Sequence, residues 1–324
     1  MPQAAHDLFQ HEPQAHSIGI GPVSAHGELG FIAEYRLAAT RPLQHRLPDR
    51  LDGWPLAWRR TAERAHPLSR WPRARRPLAG IRHPEQAPTR PLVCGLEIQN
   101  IDADHRAGVL PQGCFVGTLG CWVRIAQGEV AMLSNAHVLA DSGQGRPGHD
   151  RILQAGCRAY QAAHHVAHLG AFMPLAACPP GTLWGEPGVV PNQADAALAP
   201  LIDGVPHAQA FLGHRDMPGP RGTATPTLGE PVFKIGRTTG LTHGVVDRVN
   251  VIYSVPYDHG DCWFEDLFSV RTPDGRDFAD GGDSGAVVMR PDGAVLGLVF
   301  AGAPMGTLCC EIEPVLGGLQ CSLL

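Results

Sequence analysis

Lysine is almost missing from this chain of 324 residues: Lys234 is the only one, and arginine supplies the other basic residues. That scarcity reads as a compositional bias rather than a mechanism. Aromatic residues are only 6%, and no run of 18 or more apolar residues occurs, which excludes a helix that spans a bilayer. The first residues, MPQAAHDLFQHEPQAHSIG, hold no basic stretch leading into an apolar one, so no secretory leader is expected. Charge of one sign is also lacking. A net charge of −5 is mild for this length and speaks against a protein built to wrap nucleic acid. The nine cysteines are odd in number and have no framework spacing. With no leader, they are expected as free thiols in a reducing compartment, which places the chain in the cytoplasm.

What is present suits a folded protein rich in turns. Hydrophobic residues make up 44% and charged residues 18%, enough apolar material for a core and too much for a disordered chain. Gly 39 and Pro 30 together amount to a fifth of the sequence. The length allows one large domain or two.

The charge is unevenly placed. Residues 1–93 carry +5 and residues 94–324 carry −10. The basic front, residues 1–92, is rich in Pro and His with weak periodicity, and is expected as an irregular extension. Its best local signal is Asp52-Gly53-Trp54-Pro55-Leu56, where Asp52 or Gly53 caps a short helix with proline in its first turn. The arginine run from Arg70 to Arg82 contains Trp71, a pattern able to hold nucleic acid, but also that of an extension lying against an acidic remainder. The asymmetry suggests intramolecular docking, as a regulatory segment or a partner-recruiting arm.

From Val93 onward the sequence becomes short apolar runs broken by glycine: 94–99, 114–119, 121–126, 130–134, 195–200, 231–235, 245–255, 264–271, 286–290, 295–301 and 307–312. Arg290-Pro291-Asp292-Gly293 is a clear turn between two of them. Many short strands predict an all-β barrel or sandwich, with one closing helix over 313–319. Stretches 141–192 and 203–228 read as long surface loops.

Three segments carry chemistry. Gly281-Gly282-Asp283-Ser284-Gly285 sets a serine in a tight glycine turn, which presents a hydroxyl nucleophile beside free amide donors. Leu133-Ser134-Asn135-Ala136-His137-Val138-Leu139 ends a strand on one histidine. Asn192-Gln193-Ala194-Asp195-Ala196-Ala197-Leu198 holds a lone carboxylate in a small apolar run, costly to bury unless an imidazole or similar group pairs with it. Each alone has a plain alternative: a glycine turn, a packed core histidine, an exposed strand-end aspartate.

Together, in the order His, Asp, Ser, they resemble the trypsin-like (chymotrypsin-fold) serine peptidases. The likeness lies in Asn135-Ala136-His137, Asp195-Ala196-Ala197-Leu198 and Gly282-Asp283-Ser284-Gly285. Gly117-Thr118-Leu119-Gly120, Lys234-Ile235-Gly236-Arg237-Thr238-Thr239-Gly240-Leu241-Thr242 and Gly297-Leu298-Val299-Phe300-Ala301-Gly302 are similar to the bacterial and plant branch. The resemblance covers residues 93–324 and is silent on the first 92. It implies a double β-barrel with the active site between barrels, His137 and Asp195 coming from the first and Ser284 from the second. It further implies a serine endopeptidase with no cofactor or metal, in which Ser284 attacks, His137 carries the proton and Asp195 fixes the imidazole. The amides of Gly282 and Ser284 would form the oxyanion hole, with Phe278 in the specificity pocket and Phe300, Ala301 and Gly302 pairing with the substrate backbone. The alternative is an inactive binding or scaffold protein on the same fold, its basic arm recruiting a partner.

Departures from the animal digestive branch matter. No cysteine lies beside His137 or shortly before Ser284, so the usual disulfides there are missing. Phe278 stands where a basic-specific enzyme has an acid, which points to an apolar or small residue before the cut bond, although Asp280 lies nearby. No Ile-Val-Gly-Gly start is present to pair with Asp283, so either Asp283 has another partner or cleavage near Pro91–Gly95 plays that part. His164, His165 and His168 are expected in a solvated loop rather than around a metal. Vicinal Cys309 and Cys310 are expected as core packing.

Overall fold

The computed structural model describes residues 2–12, 15–35, 47–61, 65–68, 83–108, 114–126, 128–156, 162–304 and 306–324. The arginine run with Trp71 lies outside the described residues.

The architecture is all-β with a small C-terminal helix, Ile312–Gly318. Its second half closes into a barrel of six antiparallel strands. Pro231–Gly236 pairs with Val287–Met289, then come Val295–Ala303, Gly306–Glu311, Gly260–Arg271 and Gly240–Tyr257, and the last pairs back onto Pro231–Gly236. The Arg290-to-Gly293 turn is where the sequence puts it, held by Asp292 Oδ1 accepting from the Ala294 amide at 3.1 Å. The first half makes a second ring. Glu97–Asn100 pairs with Gly117–Thr118, and the chain after Thr118 bonds to Val130–Ser134 through the Gly120 amide on Leu133 O. Val130–Ser134 pairs with Ala197–Pro200, Ala167 bridges Leu201, and His165–His168 returns through Arg151–Leu153 to Glu97–Asn100. Closing both sheets removes most open strand edges, which explains how many short strands form a stable unit. One apolar cluster runs from Leu96, Trp122 and Leu139 of the first ring to Phe233, Phe264 and Leu298 of the second.

Three local expectations change. The stretches read as loops contain strands: Arg151–Leu153, His165–His168, Ala171–Phe172 and His207–Phe211. Their apolar residues are few and scattered among Gly, Pro and His, yet Ile152, Val166, Ala167 and Leu169 are fully buried. Asp52 and Gly53 do not cap a helix. Both take positive φ, 50° and 79°, and turn the chain between Arg50–Leu51 and the strand Trp54–Arg60. An Asp-Gly pair suits that mirror-image hairpin turn better than a cap. Among the described cysteines, seven are free, but Cys114 is disulfide-bonded, so the all-thiol expectation fails there. A bonded Cys114 removes the cysteine argument for a reducing compartment. No helix among the described residues is long and apolar enough to cross a membrane.

The front of the chain holds more regular structure than its proline and arginine content suggests. After the helix Pro2–His11, strand Ala15–Pro22 pairs antiparallel with residues 249–253 of the second barrel. Leu29–Tyr35 and Trp54–Arg60 continue the sheet outward. Phe9, Ile18, Phe31 and Leu56 share an apolar cluster with Trp184, Ile252 and Trp263. The ion pair across this junction has the reverse of the expected signs. Glu34 of the basic front meets Arg248 of the acidic remainder at 3.3 Å, both buried, and Tyr253 donates to the same carboxylate at 3.3 Å. Burial pushes the Glu34 carboxyl up, and Arg248 only partly opposes it. Removing Glu34 takes the nearer carboxylate from the buried Arg248 and leaves Asp247 Oδ2, 3.6 Å from its Nε. Glu34→Ala is therefore expected to cost about 3–5 kcal/mol, read as a lower urea midpoint, with the Glu34→Leu/Arg248→Met double variant recovering most of the loss. Equal loss in single and double variants would contradict this.

Candidate active site

Strand register assembles the histidine and the aspartate. Ser134 sits opposite Ala197 in the antiparallel pair, so the turn just past Ser134 faces the residues just before Ala197. Asn135 leaves the strand in extended backbone and starts the short helix Ala136–Leu139, which carries His137. The Asn135 side-chain amide donates to Asp195 O at 2.6 Å and locks the two segments. Asp195 is fully buried. Its Oδ1 accepts the His137 backbone amide at 3.0 Å, and its Oδ2 accepts His137 Nδ1–H at 2.5 Å and the Tyr257 hydroxyl at 2.6 Å. Burial alone would raise this carboxyl, but the imidazole and the Tyr257 hydroxyl outweigh it and hold it below the usual range. Burial and the adjacent Asp195 push the Tyr257 hydroxyl well up, so it stays a donor. The lone carboxylate thus has its imidazole partner, and a tyrosine that the motifs did not reveal.

Ser284 lies in the loop before Val287–Met289 of the second barrel. Thr118 of the first barrel clamps that loop: its amide donates to Ser284 O at 2.8 Å and its hydroxyl to Gly282 O at 2.9 Å. Gly285 turns with φ +92°, and a Cβ there would lie 2.0 Å from Ser134 Oγ, so only glycine fits between the two lobes. The structure brings His137 and Asp195 into contact, but it does not bond Ser284 to His137. The Ser284 hydroxyl donates to Phe300 O at 3.3 Å, and His137 Nε2 has no hydrogen-bond partner among the described residues.

Asp283 does have another partner. The ammonium of Lys234 lies 3.3 Å from Asp283 Oδ2, with both side chains fully buried. Thr238 N, Thr239 N, Thr239 Oγ1 and Asp280 N complete the carboxylate's shell at 2.8, 3.3, 2.7 and 3.0 Å. Burial raises the Asp283 carboxyl and these partners, Lys234 foremost, bring it below the ordinary range. The lone lysine, read from composition as bias, braces the serine loop.

Phe278 is buried, its carbonyl taken by the Thr242 hydroxyl and its ring 5.8 Å from Lys234 Nζ. The carbonyl of Phe300 points to the serine, while Ala301 and Gly302 pair antiparallel with Pro67 and His66. Gly282 donates its amide to Leu68 O at 3.0 Å. Asp280 Oδ1 is taken by the Gly281 amide at 2.7 Å. His165 and His168 sit on a strand rather than in a loop, their rings 4.6 Å apart, and burial together with His168 pushes the His165 imidazole down. Among the described residues no group of three or more ligating side chains is placed to hold a metal. Cys309 and Cys310 are buried in a strand, and Cys310 Sγ accepts the Asp195 amide at 3.4 Å. The signal for Tyr257 lay in an apolar strand, 251–257, where a buried hydroxyl needs a partner. That for Thr118 lay in the Gly-Thr-Leu-Gly run.

Among solved structures, this chain is similar to protease A of Thermobifida fusca, with 16% identity and a TM-score of 0.47, covering 72% of this chain and 97% of that one. It is also similar to a glutamic-acid-specific serine protease that uses a histidine triad in substrate binding (14%, 0.49, 72% and 100%). A Nocardiopsis protease matches at 17% and 0.42, over 64% and 92%. No family model matches the chain, and no curated protein does.

The two depressed carboxyls fix the sign of the acid response. Asp195 and Asp283 each stabilise the fold above the ordinary carboxylate range, and that contribution is lost as pH falls through their lowered folded values. The urea midpoint is expected to fall from pH 6 to pH 3. In Lys234→Met, Asp283 keeps its amide and hydroxyl donors but loses the charge that offsets its burial, which is expected to cost about 3–5 kcal/mol at neutral pH, and this penalty shrinks toward acid as the carboxyl is neutralised. A penalty independent of pH would contradict the pairing.

Proposed function

We propose that the chain is a serine endopeptidase acting on peptides and proteins through Ser284, His137 and Asp195. The observation that carries this reading is the buried Asp195 carboxylate bonded to His137 Nδ1, with His137 Nε2 left without a partner at the seam where the serine loop is clamped. With Nδ1–H committed to Asp195, the proton-accepting nitrogen of a neutral imidazole is Nε2. The reading requires a turn about the Cα–Cβ bond of Ser284 that moves its hydroxyl off Phe300 O toward that nitrogen. Ser284 Oγ then attacks a peptide carbonyl while His137 takes its proton and later passes it to the leaving amine, and Asp195 stabilises the imidazolium. The amides of Gly282 and Ser284 hold the oxyanion, each donor worth about 10²–10³ in rate. The Phe300-to-Gly302 strand pairs with the substrate backbone, and Phe278 belongs to an apolar pocket for the side chain before the cut bond.

The Ser284–Phe300 contact is what an inactive scaffold on this fold would also show, and kinetics separate the two readings. A fluorogenic peptide library is expected to be hydrolysed by the wild-type chain, with Ser284→Ala and His137→Ala reduced to background and Asp195→Asn lowering kcat by about 10⁴. Activity surviving in Ser284→Ala, or a wild-type chain silent toward the whole library at every pH from 5 to 9, would contradict the assignment.

A further inference from the structure

One oxygen of the candidate site carries two side-chain donors. Asp195 Oδ2 accepts His137 Nδ1–H at 2.5 Å and the Tyr257 hydroxyl at 2.6 Å, while Oδ1 accepts the His137 backbone amide at 3.0 Å. Tyr257 ends the strand Gly240–Tyr257 of the second barrel, so its hydroxyl reaches a carboxylate of the first across the seam. Its buried ring lies 6.2 Å from Phe264 and 6.4 Å from the His137 imidazole. The other titratable groups packed here are two thiols and a second imidazole. Cys310 Sγ accepts the Asp195 amide at 3.4 Å, and burial pushes its thiol up. Burial and then Asp195 push the Cys262 thiol up to about 12, so neither sulfur is charged near neutral pH. His259, exposed beside Asp258 at the hairpin tip, has its ring 5.8 Å from Tyr257 and its Nε2 4.0 Å from Cys262 Sγ.

We propose that Tyr257 is a positioning residue that sets the basicity of His137 by sharing Asp195 Oδ2 with its Nδ1–H. A carboxylate oxygen divides its acceptor strength between the donors bonded to it, and burial makes each of those bonds count for more. The phenol draws on the oxygen that must stabilise an imidazolium. Without the hydroxyl, Oδ2 belongs to Nδ1–H alone, the imidazolium is favoured, and Nε2 takes up its proton at higher pH. Burial and Asp195 hold the Tyr257 hydroxyl protonated, so it stays a donor throughout this range.

The consequence for hydrolysis rests on the peptidase reading above; the titration of His137 does not. A general base must be unprotonated to take the Ser284 proton, so a less basic His137 keeps the site competent to lower pH. The tyrosine therefore fixes where the acid limb of the rate profile falls, acting through Asp195 and His137 without touching the substrate.

The test removes one hydroxyl and keeps the ring. Tyr257→Phe is compared with Tyr253→Phe, which deletes a hydroxyl from the same strand, where it donates to the buried Glu34 carboxylate at 3.3 Å. Full-length chains carrying isotope-labelled histidine are titrated by NMR, the His137 resonance being the one lost in His137→Asn. The His137 midpoint is expected about one pH unit higher in Tyr257→Phe than in the wild type, and unmoved in Tyr253→Phe. With the p-nitrophenyl ester of acetyl-leucine, the acid limb of kcat/KM is expected to rise with it. Below both midpoints Tyr257→Phe then loses about tenfold, while KM and the alkaline plateau are kept. Placing 3-fluorotyrosine at position 257 alone, a stronger donor in an intact core, should move the midpoint down. A midpoint that neither change moves, in a chain that still hydrolyses the ester, would overturn the proposal and leave the peptidase reading standing. Equal movement in Tyr253→Phe, or a loss of activity equal at every pH, would also overturn it, since a merely structural hydroxyl gives that result. A wild type silent toward the ester, with the midpoint raised in Tyr257→Phe, would overturn the peptidase reading and uphold the sharing of Asp195.

Discussion

One carboxylate without access to water organises the centre of this molecule. Asp195 has its two oxygens bonded by a backbone amide, an imidazole and a phenol. A buried carboxylate left unpaired would be neutralised or would unfold the site, so these donors are conditions for the fold as well as for any chemistry. Because Nδ1 of His137 is committed to Asp195, the ring is held in one position with Nε2 turned away from the carboxylate. The register of two strands, Val130–Ser134 and Ala197–Pro200, delivers that contact, and Thr118 ties the serine loop across the seam. A second buried pair, Lys234 with Asp283, braces the loop from the other side.

The front of the chain belongs to the same mechanical unit. It extends the second barrel's sheet by strand pairing, buries apolar residues against Trp263 and Ile252, and returns three residues to the groove beside Ser284. Whole-segment charge gave the wrong picture of this union. Screening limits attraction between exposed charges to about 8 Å at physiological salt, so the +5 and −10 totals cannot specify a contact. The joining ion pair uses an acid from the basic part and an arginine from the acidic part.

Local patterns in the sequence carried much of the architecture. The strands over 130–134, 231–236 and 295–303 and the closing helix fall within a few residues of where apolar runs and glycine breaks place them. Short strands such as Arg151–Leu153 and His165–His168 escaped notice because two buried residues apiece make no period. The Asp52-Gly53 turn was misread because a cap and a mirror-image turn draw on the same residue types. His137, Asp195 and Ser284 were legible as candidates through their neighbours, since each sits in a small-residue turn next to a strand, His137 after Val130–Ser134 and the other two before Ala197–Pro200 and Val287–Met289. Tyr257 and Lys234 were not, because a single buried hydroxyl or ammonium has no sequence pattern until the partner is known. Leu68 was least visible: its place beside the serine loop depends on contacts with Phe300 and Gly282, more than 200 residues away.

The central claim is that Ser284 is a nucleophile activated by the His137–Asp195 pair, and an acyl-enzyme is its direct signature. Rapid mixing of the wild-type chain with the p-nitrophenyl ester of acetyl-leucine measures it. The account predicts a burst of about one p-nitrophenolate per chain followed by slower turnover, with an acetyl-leucyl group on Ser284 when the reaction is quenched in acid. Linear release from time zero, with no acyl group on Ser284, would contradict it.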